Sequence, residues 1–214
     1  MGKTVITAAL TRLLREECHD ARAVKPAQTG FPPDDDAGFV ADACGDGGTA
    51  TCTRYLEPAL APRVAAERSD ETLEYDPLRR AVERELDATA VSLLEGVGGL
   101  RVPLAGDREV IDLVADCVDR AILVSRSGLG TLNHTALSVD LLERRGVDVL
   151  GIVCNRYEGA TVAERTNPPE MERMTGAPVE TVPPVEGEDP AELVDGVIEA
   201  LSTDFRERLP PGES

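Results

Sequence analysis

From Thr4 to Glu17, Val5, Ile6, Ala9, Leu10, Leu13 and Leu14 recur at the three- and four-residue intervals that place apolar side chains on one face of a helix. Ala23-Val24 has no such spacing and runs into Lys25-Pro26, where proline disfavours a helix, so it predicts a brief strand. The alternation continues downstream. A helix is predicted over 76–88, and the buried strand Ala90-Val91-Ser92-Leu93-Leu94 follows, running into Glu95-Gly96. A helix over 108–119 and a strand over Ala121–Val124 come next, then a helix from Thr131 to Arg145 that Gly146 stops. Strands at Val149–Cys154 and Val179–Val182 and a helix at Pro190–Leu201 complete the pattern. Strand then helix, repeated, predicts an α/β fold: a doubly wound, mostly parallel sheet covered by helices on both faces. Ligands of such sheets bind beyond the carboxyl ends of the strands, and the polar clusters of this chain fall at those ends. At 214 residues one domain is expected over 1–205, with 206–214 as a flexible tail.

Charge narrows the range of partners. Forty Asp and Glu face 22 Lys and Arg, a net charge of −18, so the surface repels phosphate backbones and anionic lipids. Neither nucleic acid nor a membrane is expected as partner. The longest apolar run, Ala121–Val124, is far short of the roughly 20 residues of a membrane span. No basic segment followed by an apolar stretch opens the chain, so a secretory signal is not expected. Lysine occurs only at Lys3 and Lys25, aromatic residues make up 3%, and tryptophan is absent. An acidic surface with arginine in place of lysine predicts a halophilic protein, in which screening makes like-charge repulsion tolerable. Five scattered cysteines without a C-x-x-C pair predict neither a zinc knuckle nor a disulfide framework, in keeping with a reducing cytoplasm.

The two lysines mark the candidate chemistry. Gly2-Lys3-Thr4 before a helix reads as the second half of a phosphate-binding loop. Glycine allows close backbone approach, lysine reaches the outer phosphates, and the threonine hydroxyl binds Mg²⁺. An ordinary helix start capped by Thr4 is the alternative. Lys25 opens Lys25-Pro26-Ala27-Gln28-Thr29-Gly30 directly after a strand, where a compact ammonium suits a transferring oxygen. Asp34-Asp35-Asp36 precedes a helical stretch, either as a solvated acidic cap or with Asp36 as a Mg²⁺ ligand. Glu95 leaves an apolar strand into Gly96-Val97-Gly98-Gly99, the position of a metal-side carboxylate.

In order along the chain stand Lys25-Pro26-x-x-Thr29-Gly30, Asp36-Ala37, Glu95-Gly96-x-Gly98-Gly99 and Gly128-Leu129-Gly130-Thr131-Leu132-Asn133-His134-Thr135. With Glu57-Pro58-Ala59-Leu60-Ala61-Pro62, Gly151-Ile152-Val153-Cys154-Asn155 and Val182-Pro183, this series resembles dethiobiotin synthetases, enzymes of biotin biosynthesis with a P-loop NTPase-like fold. The resemblance covers roughly residues 2–200. It implies an ATP-dependent ligase that closes a ureido ring from 7,8-diaminononanoate and CO₂, through a carbamate and a carbamic-phosphoric anhydride. ATP is then a co-substrate, Mg²⁺ the cofactor, and a cytoplasmic homodimer the expected assembly. Gly2, Lys3, Thr4 and Val5 are implied to cradle the phosphates, and Lys25 is the implied catalytic lysine with Lys3 beside it. Thr29 would touch the substrate, and Thr4, Asp36 and Glu95 would hold the metal. Gly96, Val97 and Gly98 would line the nucleotide pocket. Asn155 and Arg156 would read the adenine, flanked by Pro183, Pro184 and Val185. His134 and the Gly130 turn are assigned to a dimer-side wall. The family begins with a strand and G-T-[DG]-T-x-[VI]-G-K-T, whereas Met1 here directly precedes Gly2. A first strand and most of the loop are therefore expected upstream, since a central strand's loss leaves backbone groups unpaired in the core. Two further readings stay open: a related P-loop amidoligase and a non-catalytic P-loop regulatory or binding domain.

Overall fold

The computed structural model describes residues 2–17 and 20–209. Cys18, His19 and the expected tail residues 210–214 lie outside them. The chain opens with helix α1 (Lys3–Glu16), strands β1 (Ala21–Lys25) and β2 (Gln28–Thr29), and helix α2 (Asp36–Cys44). Strands β3 (Ala50–Cys52) and β4 (Tyr55–Leu56) then lead to helices α3 (Pro62–Arg68) and α4 (Tyr75–Leu86). Next come β5 (Val91–Leu94), β6 (Pro103–Ala105), β7 (Arg108–Glu109), α5 (Val110–Cys117) and β8 (Arg120–Arg126). The last part holds α6 (Thr131–Arg144), β9 (Asp148–Asn155), α7 (Val162–Thr175), β10 (Val179–Val182), α8 (Pro190–Ala200) and α9 (Thr203–Arg206).

The central layer is parallel, as the alternation of strands and helices predicts. It consists of two three-stranded sheets, ordered β3-β1-β5 and β10-β9-β8. Among the described residues no ladder joins β5 to β8, so each has one unpaired edge. One core nevertheless spans both. Ile6, Ala9, Leu10, Leu13 and Leu14 of α1 pack with Val153 of β9 and Val182 of β10, and half-buried Leu93 of β5 and Val124 of β8 lie against the same cluster. α1 thus buries the face that its spacing predicts, and its amino terminus points to the carboxyl ends of both sheets.

Two expectations need correction, and one helix lies outside the pattern read from the sequence. The helix expected over 108–119 starts later, because Arg108–Glu109 pairs antiparallel with β6 before α5 begins. α7 escapes the sequence pattern because Pro168 and Pro169 stand inside it, each removing a backbone donor. It forms nonetheless behind a capping box in which Thr161 and Glu164 each satisfy the other's backbone N–H. Of the expected tail, residues 206–209 turn back onto the fold, where the apolar Leu209 joins Phe205 in the core.

The start of α5 is a second capping box, with Glu109 as N-cap. Asp112 accepts the Glu109 N–H at 2.8 Å and pairs with Arg145 at the end of α6. Burial alone would raise its carboxyl; these partners hold it below the ordinary range. That contribution is present above the unfolded carboxylate range and is lost as pH falls through the lowered folded pKa. Asp112→Ala is expected to cost about 1–2 kcal/mol. The corresponding loss in melting temperature is about 2–8 °C for a chain of this size. An unchanged calorimetric midpoint would show that this cap is not holding α5.

Candidate active site

The carboxyl ends of neighbouring β1 and β5 deliver Lys25 and Glu95 side by side. Lys25 Nζ lies 2.9 Å from Glu95 Oε1 and also contacts the carboxylate of Asp36 in the first turn of α2. Both Lys25 and Glu95 are only 5% exposed, so this is a buried charge cluster and not a surface pair. Thr4 Oγ1 donates to the same Glu95 oxygen at 2.9 Å, tying the start of α1 to the end of β5. The position of α2 is fixed in turn: Gln28 Oε1 accepts the Asp36 N–H at 3.1 Å, and Asp35 caps the helix through the Gly38 N–H at 2.9 Å.

The electrostatics follow from burial and charge together. Burial pushes the Lys25 ammonium down, but Glu95 and Asp36 outweigh it and hold the lysine above its ordinary range. For Asp36, burial alone would raise the carboxyl, and the facing Lys25 brings it below its usual value. Burial, with repulsion from Lys25, lowers Lys3. One carboxylate pair thus keeps Lys25 charged, while Lys3 has no such pair of its own.

These groups open onto a cavity of about 640 Å³ at the carboxyl ends of the strands. Its floor includes the start of α1, where the first N–H groups lack intrahelical partners and present positive potential. Gly2, at φ 83°, leads into this turn, and a Cβ there would stand 2.3 Å from Asn155 Nδ2. Only glycine fits. The site therefore offers backbone donors and two lysines for an anion, beside carboxylate oxygens for a cation.

The cavity gathers most of the residues singled out from sequence. Gly2, Lys3, Thr4 and Val5 line it with Lys25 and Thr29, and Asp36, Glu95, Val97 and Gly98 complete that set. Gly96 lies between Glu95 and Val97, with Val110 behind it. Asn155 joins through its contact with Gly2. Arg156, in the left-handed region at φ 57°, and Pro183, Pro184 and Val185 beyond β10 do not line the cavity. Val185 packs on Gly196 of α8 instead. His134 is exposed on α6, away from the cavity. Among the described residues no group of three His, Cys, Asp or Glu side chains is placed to hold a metal ion. The oxygen atoms that meet here are the Thr4 hydroxyl and the carboxylates of Asp36 and Glu95.

The AAA domain family model matches residues 1–190. The solved structures this chain resembles include a cell division ATPase MinD from Pyrococcus furiosus, at TM-score 0.56 and 18% identity over 97% of this chain and 92% of that one. A ParA family ATPase from Chlorobium tepidum aligns at TM-score 0.59 and 12% identity, over 96% and 91%. Both share the P-loop NTPase-like fold. An ATP-dependent dethiobiotin synthetase from Haloferax mediterranei is 57% identical over 201 residues, 94% of this chain and 87% of the relative. Another from Rhodococcus erythropolis is 41% identical over 84% of this chain and 81% of its own. The chain belongs to the dethiobiotin synthetase family.

The likeness to the Haloferax relative accords with the halophilic composition. Among the cavity-lining residues to which the sequence reading gives no role are Gln28, Phe39 and Arg126. Gln28 is legible only once its hydrogen bond to α2 is seen. Phe39 is the apolar residue three positions beyond Asp36, on the first turns of α2. Arg126 had a signal: a cation at the carboxyl end of a parallel strand, where ligands of this fold class gather.

Proposed function

We propose that this chain forms dethiobiotin from 7,8-diaminononanoate, CO₂ and ATP, releasing ADP and phosphate, as a step of biotin biosynthesis. One observation carries the reading beyond family membership. The two lysines and the free N–H groups of α1 meet the carboxylates Asp36 and Glu95 in a single cavity, as transfer of a phosphoryl group to a carbamate requires. In the proposed sequence an amine nitrogen of the diamine attacks CO₂ and loses its proton, giving a carbamate. A carbamate oxygen takes the γ-phosphoryl group as ADP leaves, and the second amine attacks the carbonyl carbon and expels phosphate, closing the ring. The protein makes no covalent bond, so its contribution is positioning and charge neutralisation.

Lys3 and the first N–H groups of α1 bind the outer phosphates. Lys25 faces the carbamate and the transferring phosphoryl group, held in place by Glu95 and Asp36. Thr29, on the cavity wall beside Asp34 and Asp36, orients the diamine. The oxygen donors Thr4, Asp36 and Glu95 suit Mg²⁺, a hard cation that takes carboxylate and hydroxyl oxygens together with phosphates. When bound, Mg²⁺ neutralises charge on the β- and γ-phosphates. Asn155, against Gly2, and Arg156 read the adenine, which Pro183, Pro184 and Val185 flank. The assembly we infer is a cytoplasmic homodimer, supported by the apolar side chains that α6 and its leading turn expose: Leu137 is 60% exposed and Leu129 fully so.

Incubation with diaminononanoate, bicarbonate, Mg²⁺ and ATP in molar KCl is expected to yield dethiobiotin by mass spectrometry, with one ADP per product. ADP release that does not depend on the diamine, with no product of the ring-closed mass, would overturn this reading.

A further inference from the structure

Arg126 lies at the carboxyl end of β8, in register with Asn155 of β9, and its side chain lines the cavity. It is exposed, and no hydrogen bond or ion pair ties its guanidinium to the described residues. Among the cations that line the cavity it has no carboxylate partner, unlike Lys25.

The backbone around it is unusually well held. Buried hydroxyls on both sides fix its carbonyl: Thr131 Oγ1 donates to the Arg126 oxygen at 2.6 Å, and Ser125 Oγ donates to it at 3.1 Å. Ser125 and Thr135 share a further hydrogen bond at 3.0 Å. On the other flank, Asn167 Nδ2 donates to the Ser127 carbonyl at 2.8 Å, and Ser127 Oγ donates to Glu164 at 2.8 Å. Ser125 and Ser127 are each 6% exposed, while the arginine between them faces solvent and the cavity. Anchored main chain with a free planar fork is the arrangement of a preorganised anion contact.

Its position selects the anion. The carboxylates of the cavity, Asp34, Asp35, Asp36 and Glu95, come from the α2 and β5 side, which suits the amines of the substrate. Arg126 comes from the other side. Its register partner Asn155 touches Gly2, at the start of α1, where free N–H groups already favour an anion. Resting on the functional reading above, we infer that Arg126 is a further nucleotide-binding residue, contacting the polyphosphate of ATP from the β8 side.

The test is calorimetric titration of the full chain and of Arg126→Ala and Arg126→Lys with Mg·ATP, tripolyphosphate and diaminononanoate. Arg126→Ala is expected to weaken both phosphate ligands about 10- to 100-fold, the loss of charge-assisted hydrogen bonds. Arg126→Lys should fall between, keeping the charge without the fork. Diaminononanoate affinity and the thermal midpoint should not move. Equal tripolyphosphate binding by all three chains overturns the inference while leaving the functional reading intact. So does a loss confined to diaminononanoate, which would assign the arginine to the substrate carboxylate. Failure of the unaltered chain to bind either phosphate ligand refutes the inference, and failure to form dethiobiotin as well refutes the functional reading.

Discussion

Replacing Lys25 by alanine is expected to lower turnover by about two to three orders of magnitude, the scale of losing one preorganised charge-stabilising donor. The side chain sits between Asp36 and Glu95 with its ammonium aimed at the cavity, so its loss removes positive charge where the transfer is proposed. ATP affinity should change less, because Lys3 and the α1 amino terminus remain. A structural cost accompanies the chemical one. Two carboxylates that share a buried cation would be left facing each other, and breaking buried pairs costs about 3–5 kcal/mol. Melting curves therefore have to be recorded beside the kinetics. If the variant remains folded and turns over like the parent, Lys25 is not the charge-stabilising group.

Raising KCl from about 0.1 M to about 3 M is expected to raise the melting midpoint by on the order of 10 °C or more, as several kcal/mol of self-repulsion are screened. Two effects of salt compete here. Screening weakens exposed ion pairs such as Arg144–Asp140 and Arg173–Glu170, but each of those is worth no more than about 1 kcal/mol. It also relieves repulsion among the acidic residues in excess of basic ones, a net charge of −18 that no local pairing cancels. The Debye length falls from about 10 Å to below about 3 Å over this range, so repulsion loses its reach first. A flat scanning-calorimetry profile would show that the acidic composition carries no salt requirement.

Much of this fold is legible in the sequence because local pattern and tertiary role coincide. α1 and β9 read correctly since their apolar spacing is the face or run they bury. The same holds for Lys25 and Glu95: a polar residue ending an apolar strand can only emerge at the carboxyl edge of the sheet. Other features are set by contacts that spacing does not encode. α7 depends on a capping box and on tertiary packing of Met171 to outweigh two internal prolines. The two-residue strands β2 and β4 exist only as each other's partners. Asp36 could be singled out among three consecutive aspartates, but not the division of labour among them, in which Asp35 caps the helix and Asp36 pairs with Lys25. Arg126 is legible as a cation at a strand end, but its free guanidinium between hydrogen-bonded neighbours is not.

The position of α1 has a mechanical consequence. Glu95 directly follows β5 and Asn155 ends β9, and the start of α1 lies close to both. α1 packs its apolar face against residues of both strand groups, Leu93 and Val124 among them, so a shift of its first turn is felt on both sides of the cavity. A nucleotide gripped at once from the β5 side and the β8 side would hold that turn from both sides. Local opening of the first turn of α1 would then be suppressed in proportion to ligand occupancy, and slowed amide exchange there would register it.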